Sequence, residues 1–484
     1  MLRKSGRISC MVATVLFYAG ITISRAADFD FDQGADIGQA ISRIADASAV
    51  PLLPPPVGSA TPVLALPPAP PTPPVLALPP APIAPPVFAL PPAKEWTIMV
   101  FVNGKNDLSP FAVSDINEME KVGSTDKVNI VVELGRMASH EIAGGGQYAN
   151  YYWDDYDDYY NMDWRNPAPL ADGNKEANVV KRLLIKKDSD TSAITSPAVL
   201  EFQQRDMGNW ENLADFGKWA KMNYPAKKYM LIVWNHGSGW KRAGAKGISY
   251  DQETGNHIST ADLAKAINSI GRLDVYGSDA CLMQMAGVAY EIKDNAAVVV
   301  GSEETEPGDG YAYDLFLAKV TAEPSAGPEK VGIFAVDSYV EYYSAKGKAV
   351  TQSAVRAASM PGLMRLAGEW ADLAMQANEP GVIKTARFST QKYSDADYRD
   401  LSHFVLLVGS STRNPALEAK SVELVSYIGS ALVIKNGTVG RYAPNSSGIS
   451  VYLPAYSYNA NYDNLAWARD SRWDEFLKWI LTFK

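Results

Sequence analysis

The sequence predicts an α/β protein with a mostly parallel sheet flanked by helices, followed by a helical C-terminal part. Three observations predict it. Between residues 95 and 304, five apolar runs rich in β-branched residues (EWTIMVFVN, KVNIVVELG, KYMLIVW, RLDVYGSDA and AAVVVGSEE) alternate with amphipathic segments of helical period. Strand–helix–strand alternation is the signature of right-handed parallel crossovers. The runs are apolar throughout, which suits a sheet buried on both faces. From about residue 323 the period becomes helical in GPEKVGIFAVDSYVEYYSAKG, LMRLAGEWADLAMQ, DLSHFVLLVG and LEAKSVELVSYIGSAL.

The elements follow in order. The first strand, 95–103, leads to a helix in SPFAVSDINEMEKVG, for which Ser109 is the expected N-cap and Pro110 the first helical residue. KVNIVVELG follows as a strand. The helix ENLADFGKWAKMNY precedes strand KYMLIVW, and STADLAKAINSI precedes RLDVYGSDA. A helix is expected to start at Leu282, in LMQMAGVAYEIKD, before strand AAVVVGSEE. The chain closes with strand GISVYLPA and helix DSRWDEFLKWIL. This gives an α/β core over 95–322 and a mainly helical part over 323–484 that returns one strand to the sheet.

Upstream of the core, residues 1–26 have a basic start, an apolar run and the small residues Ser24 and Ala26 at a cleavage site, the pattern of a secretory signal. Residues 27–50 are polar. Residues 51–94 carry PVLALPPAP at Pro62 and Pro74 and PVFALPPA at Pro86, a polyproline-II-like linker or docking arm. No later segment reaches the length of a membrane span, so the protein is expected outside the cytoplasm, periplasmic or extracellular. Formal net charge is −9, and loss of the four basic residues of the leader takes it to −13. Such a surface repels phosphate backbones and excludes nucleic acid as a partner. The segment YANYYWDDYDDYYNMDW, 148–164, reads as an exposed insertion whose carboxylates could bind calcium, although its spacing matches no EF-hand loop.

Ligands of open parallel sheets sit at the carboxyl ends of strands. KYMLIVW ends just before His236, and RLDVYGSDA just before Cys281. One crossover fits between them, so imidazole and thiol should meet at one sheet edge. A histidine partner activates a thiol as a nucleophile toward carbonyls. The backbone N–H groups of Gly237 and Cys281 are candidates for the oxyanion hole, helped by a helix N-terminus at Leu282. The only other cysteine, Cys10, lies in the leader, so the exported thiol has no disulfide partner in its own chain. Asp279 lies two residues before Cys281 and should face the same way. It suits a pocket floor for a cationic side chain, or else the capping of the next helix. His140, His257 and His403 are weaker candidates.

WNHGSGW, DACLMQMAGVAYE and SEETEPGDGY resemble the clostripain family of cysteine peptidases, relatives of caspases, gingipains and legumains. The first strand–helix–strand unit and the C-terminal GISVYLPA also resemble that family, so the likeness spans about 95–484. It implies a caspase-like fold and a Cys281/His236 dyad cutting after Arg or Lys. It implies Asp279, with Asp309 as a second acid, as substrate-binding residues. It also implies a zymogen that cuts itself between the dyad residues, where Lys241, Arg242 and Lys246 are the candidate sites. Some family members need calcium, but no ligand set is carried over. The expected partners are proteins or peptides containing Arg or Lys. A third catalytic acid is not evident. The alternatives are a non-catalytic surface or adhesion protein that keeps the fold, and a transpeptidase using the same dyad.

Overall fold

A computed structural model describes residues 93–137, 179–241 and 247–483. The leader with Cys10, the proline repeats, His140, the segment 148–164, Arg242 and Lys246 lie outside the described residues.

A nine-stranded sheet organises the chain. Its strands are β1 (Lys94–Gly104), β2 (Val128–Arg136), β3 (Val179–Leu184), β4 (Ala198–Gln203), β5 (Ala226–Trp234), β8 (Leu273–Asp279), β9 (Ala296–Gly301), β10 (Thr351–Arg356) and β12 (Val433–Thr438). Two short ladders lie outside it: β6 (Ile248–Asp251) with β7 (Asn256–Ile258), and β11 (Tyr398–Asp400) with β13 (Ser450–Tyr452). The sheet order is β12-β10-β9-β8-β5-β1-β2-β3-β4. The five central strands, the five read from sequence, pair in parallel. Both margins are antiparallel: β3 and β4 on one side, β10 and β12 on the other.

The C-terminal part therefore returns two strands to the sheet, and neither is GISVYLPA. That segment contains β13, which pairs with β11 in a ladder of its own. β12 (VIKNGT) is a largely half-buried edge strand whose only large apolar residues are Val433 and Ile434, so it carries no continuous apolar signal.

Alternate residues of the central strands enter opposite cores, as the two-residue strand period requires. Met99, Phe101, Leu231, Val233 and Tyr276 pack on one face with the helices Trp210–Asn223, Thr260–Ile270 and Met360–Ala377. Ile98, Val100, Met230, Ile232 and Val275 pack on the other with the helices Ser109–Val122, Tyr313–Ala322 and Pro328–Lys346. Trp370, Phe404, Trp473 and Phe476 close the C-terminal part as a ring cluster.

Two local expectations are corrected. Ser109 is the first helical residue and not the N-cap; its hydroxyl donates to the Met137 carbonyl instead. The helix expected at Leu282 begins at Ala286 and ends at Ile292. Leu282 has φ +63°, the left-handed region that a helix cannot contain. Its N–H donates to Glu304 O, Gln284 N–H donates to Ser302 O, and Gln284 O accepts from Ser450. Residues 282–284 thus spend backbone groups on neighbouring segments that a helix would need internally.

Candidate active site

Three neighbouring parallel strands, β1, β5 and β8, each deliver one reactive side chain beyond their carboxyl ends. In the β5–β8 register Trp234 pairs with Asp279, so His236 and Cys281 each lie two residues past a matched pair. In the β1–β5 register Val102 pairs with Trp234, so the loop after Gly104 emerges on the other side of His236. That loop carries Asp107. Its Oδ1 lies 2.8 Å from His236 Nε2. The central strand thus carries the imidazole, with the acid from one neighbour and the thiol from the other.

Asparagines brace this arrangement. Asn235 Nδ2 donates to Asn103 O (2.5 Å), and its Oδ1 accepts from Tyr250 N (2.6 Å). Gly237 lies so close to the end of β8 that a Cβ there would come within 2.4 Å of Cys281 O. Glycine is required at that position because the two strand ends touch backbone to backbone.

Burial pulls the His236 pKa down, but the charge and hydrogen bond of Asp107 outweigh it and leave the imidazole above its usual value. Asp107 is pushed up by burial and more strongly down by His236, and finishes below the usual carboxylate range. Accepting from Nε2–H, the Asp107 carboxylate fixes which ring nitrogen faces it.

Cys281 is half-buried. Its sulfur accepts the Glu306 backbone N–H at 3.2 Å. Burial raises the thiol to about 12; the Glu306 N–H opposes the rise, and the carboxyl groups of Glu306 and Glu304 add to it. The resting thiol is protonated at neutral pH.

Asp279 is 4% exposed. Its carboxyl accepts from Tyr313 Oη (2.8 Å) and from Tyr311 N (3.2 and 3.3 Å), and it is hydrogen-bonded to Glu306. Gly310, at φ +54°, folds over it; a Cβ there would come 2.7 Å from Asp279 Oδ1. Burial, outweighing these hydrogen bonds, raises Asp279 to about 6. It caps no helix. Asp309 sits nearer the surface, held by Lys346 Nζ (2.6 Å) and Tyr342 Oη (3.1 Å).

Lys241 is not a free loop cation. Its Nζ is clamped by Asp395 (2.6 and 2.7 Å) and Asp397 (2.9 Å) over the ring of Tyr398. Tyr398 Oη donates to Ser238 O, so the clamp also secures the chain just after His236. His403 accepts from Gln391 N and is lowered to about 4 by burial, while His257 stacks on Tyr250. Among the described residues, no group of three or more His, Cys, Asp or Glu could hold a metal ion, and no helix is long and apolar enough to cross a membrane.

The sequence profile of the clostripain family matches residues 100–479. The chain belongs to the clostripain family. Clostripain from Hathewaya histolytica is 27% identical over 248 residues, 47% of this chain and 42% of clostripain, so the match spans less than half of that relative. Two solved structures from this cysteine peptidase family share the fold. One is a secreted C11 cysteine protease from Bacteroides thetaiotaomicron bound to an irreversible peptide inhibitor (18% identity, TM-score 0.56, 78% of this chain and 99% of that one). The other is an inactive zymogen C11 protease from Parabacteroides distasonis (17% identity, TM-score 0.55, 79% and 99%).

In this clostripain-family chain, two site residues escape sequence reasoning. Asp107 stands three residues past the end of β1, in a stretch (NGKNDL) without period; the strand-end rule applied to β1 as well as β5 and β8 would have flagged it. Glu306 lies in SEETEPGDGY, where several acids compete and only the fold tells which one turns inward.

Proposed function

We propose that this protein is an exported cysteine endopeptidase that cleaves after Arg or Lys and matures by cutting itself. The observation that carries the reading is the matched register of β5 and β8, with Asp107 holding the far side of His236. Cys281 Sγ bonds to the scissile carbonyl carbon as His236 accepts the thiol proton. Backbone N–H groups of Gly237 and Cys281 face the developing oxyanion. His236 returns the proton to the leaving amine as the C–N bond breaks. Water then attacks the acyl-enzyme with His236 as base, and the thiol is regenerated.

Asp279 is the pocket acid, with Asp309 at the rim. A charged hydrogen bond to it is worth about 1.5–3 kcal/mol of preference for a basic side chain. The high resting pKa of Cys281 fits a zymogen. Lys241 is engaged by Asp395 and Asp397, which favours Arg242 and Lys246 as the self-cleavage sites. The leader pattern supports export.

Arg, Lys and neutral peptide reporters test this together. Native enzyme should cleave only the basic ones, and Cys281→Ala should cleave none while keeping its fold. Cleavage by Cys281→Ala, or equal cleavage of neutral reporters, sinks the reading.

A further inference from the structure

Glu306 touches both halves of the site. Its N–H holds the Cys281 sulfur, and its carboxyl meets Asp279. Oε1 accepts from Gln352 Nε2 at 3.3 Å, while Oε2 is buried with no donor in reach. Two ionised carboxylates are acceptors only and cannot hydrogen-bond each other. The contact and the orphaned Oε2 are both satisfied if a single proton lies between the two carboxyls, as happens when like charges are forced together.

The surroundings offer nothing else to neutralise the pair. Asp115 faces it from the helix Ser109–Val122, Tyr311 and Tyr313 from the segment entering Tyr313–Ala322, and Tyr339 and Tyr343 from Pro328–Lys346. Burial raises all four phenols and the Asp115 carboxyl well above their ordinary pKa values. Among the described residues, no cation acts on either Asp279 or Glu306. The acid nearer the rim, Asp309, is already neutralised by Lys346.

We propose that Glu306 is a specificity-determining residue: it and Asp279 share one proton in the empty pocket, and the substrate's guanidinium or ammonium takes that proton's place. This rests on the reading of Asp279 as the pocket acid. One O–H bond breaks and the proton passes to solvent; the pair then presents two negative charges to the cation. Neutral side chains cannot drive the exchange, because they would leave two bare carboxylates in a buried site.

The test is calorimetric binding to full-length Cys281→Ala protein of an acetylated tetrapeptide amide ending in arginine. Titrations are run at pH 7 in phosphate and in Tris, whose ionisation enthalpies differ. The expected result is release of about one proton per peptide bound, falling to near zero in Cys281→Ala/Glu306→Gln and persisting in Cys281→Ala/Glu306→Asp. In the active enzyme, Glu306→Gln should raise KM for Arg reporters about tenfold with a smaller change in kcat. Tight arginine-peptide binding without proton release would overturn the shared proton and leave the proposed function intact. The native-position measurement needs no variant at 306, so misfolding of Glu306→Gln cannot rescue the idea. Equal binding of an arginine and a citrulline peptide would overturn the pocket reading and this inference together.

Discussion

Asp107 Oδ1 and His236 Nε2 lie 2.8 Å apart although 129 residues separate them in the chain. The contact exists because β1 and β5 are adjacent and parallel, so both carboxyl ends open at the same edge. Asp107 orients the imidazole and raises its affinity for a proton. It touches no reacting atom and is a positioning residue.

Replacing Asp107 by Asn should lower kcat by about tenfold or more, a fraction of the 10²–10⁴ that a positioned proton-transfer group supplies. In the proposed mechanism His236 must be unprotonated to accept the thiol proton, so activity should fall on the acid side as His236 takes up a proton. Without the Asp107 charge that limb should move to lower pH. A pH–rate profile of Asp107→Asn with an unmoved acid limb would show that Asp107 does not set the His236 pKa.

The Cys281 thiol, raised to about 12, should be slow to alkylate in the uncleaved chain. Iodoacetamide labelling followed by mass spectrometry should show a rate still rising beyond pH 9, because only the thiolate reacts. A rate that levels off below pH 7 would mean a thiolate is already formed at rest.

Gly310 should tolerate no side chain. Alanine there meets the strain of φ +54°, about 1–2 kcal/mol, and also a 2.7 Å approach to Asp279 Oδ1. Gly310→Ala should melt a few degrees lower and show a higher KM for Arg and Lys reporters, with kcat less affected. Unchanged KM in a folded variant would separate the loop over Asp279 from substrate binding.

Lys241 joins two partly buried carboxylates, and its loss removes the cation that bridges them. Lys241→Met should cost about 2–3 kcal/mol in chemical denaturation, toward the low end for broken buried pairs because Asp397 keeps some solvent contact. Terminal sequencing of processed protein should place the new chain end after Arg242 or Lys246. A cut after Lys241 would show that the clamp opens before processing.

Stability should depend on pH through Asp279. Its pKa is raised in the folded protein from 3.8 to about 6. The folded state therefore binds the proton more tightly than the unfolded state. The stability this contributes is complete below pH 3.8 and is lost as pH rises through about 6, up to about 3 kcal/mol at 1.36 kcal/mol per unit. The melting temperature should fall between pH 5 and pH 7.5, and Asp279→Asn should flatten that fall. An equally steep fall in Asp279→Asn would assign the effect to other buried acids, such as Glu118, which burial raises to about 7.

Much of the site was legible because parallel strands carry continuous apolar runs that end abruptly. The ends of KYMLIVW and RLDVYGSDA located His236 and Cys281, and the single crossover between them predicted adjacent strands. The helix at Leu282 was misread because LMQMAGVAYEI has a helical composition, whereas contacts to Glu304, Ser302 and Ser450 decide its first four residues. β12 was missed because a half-buried edge strand lacks a period strong enough to register, and β10 because its buried run TQSAVR is largely polar.

Sequence alone determined the parallel core, the order of its strands in the chain and the two adjacent strands that end just before His236 and Cys281, since burial pattern is a local property. Tertiary structure decided which acid serves which partner. Asp107, Asp279, Glu306, Asp309, Asp395 and Asp397 look alike in sequence, and all are carboxylates near the same edge. Their roles separate only through what each meets in space: an imidazole, a buried phenol, another carboxyl or a lysine. Those meetings set charge and proton affinity, which depend on distance and burial and not on position along the chain.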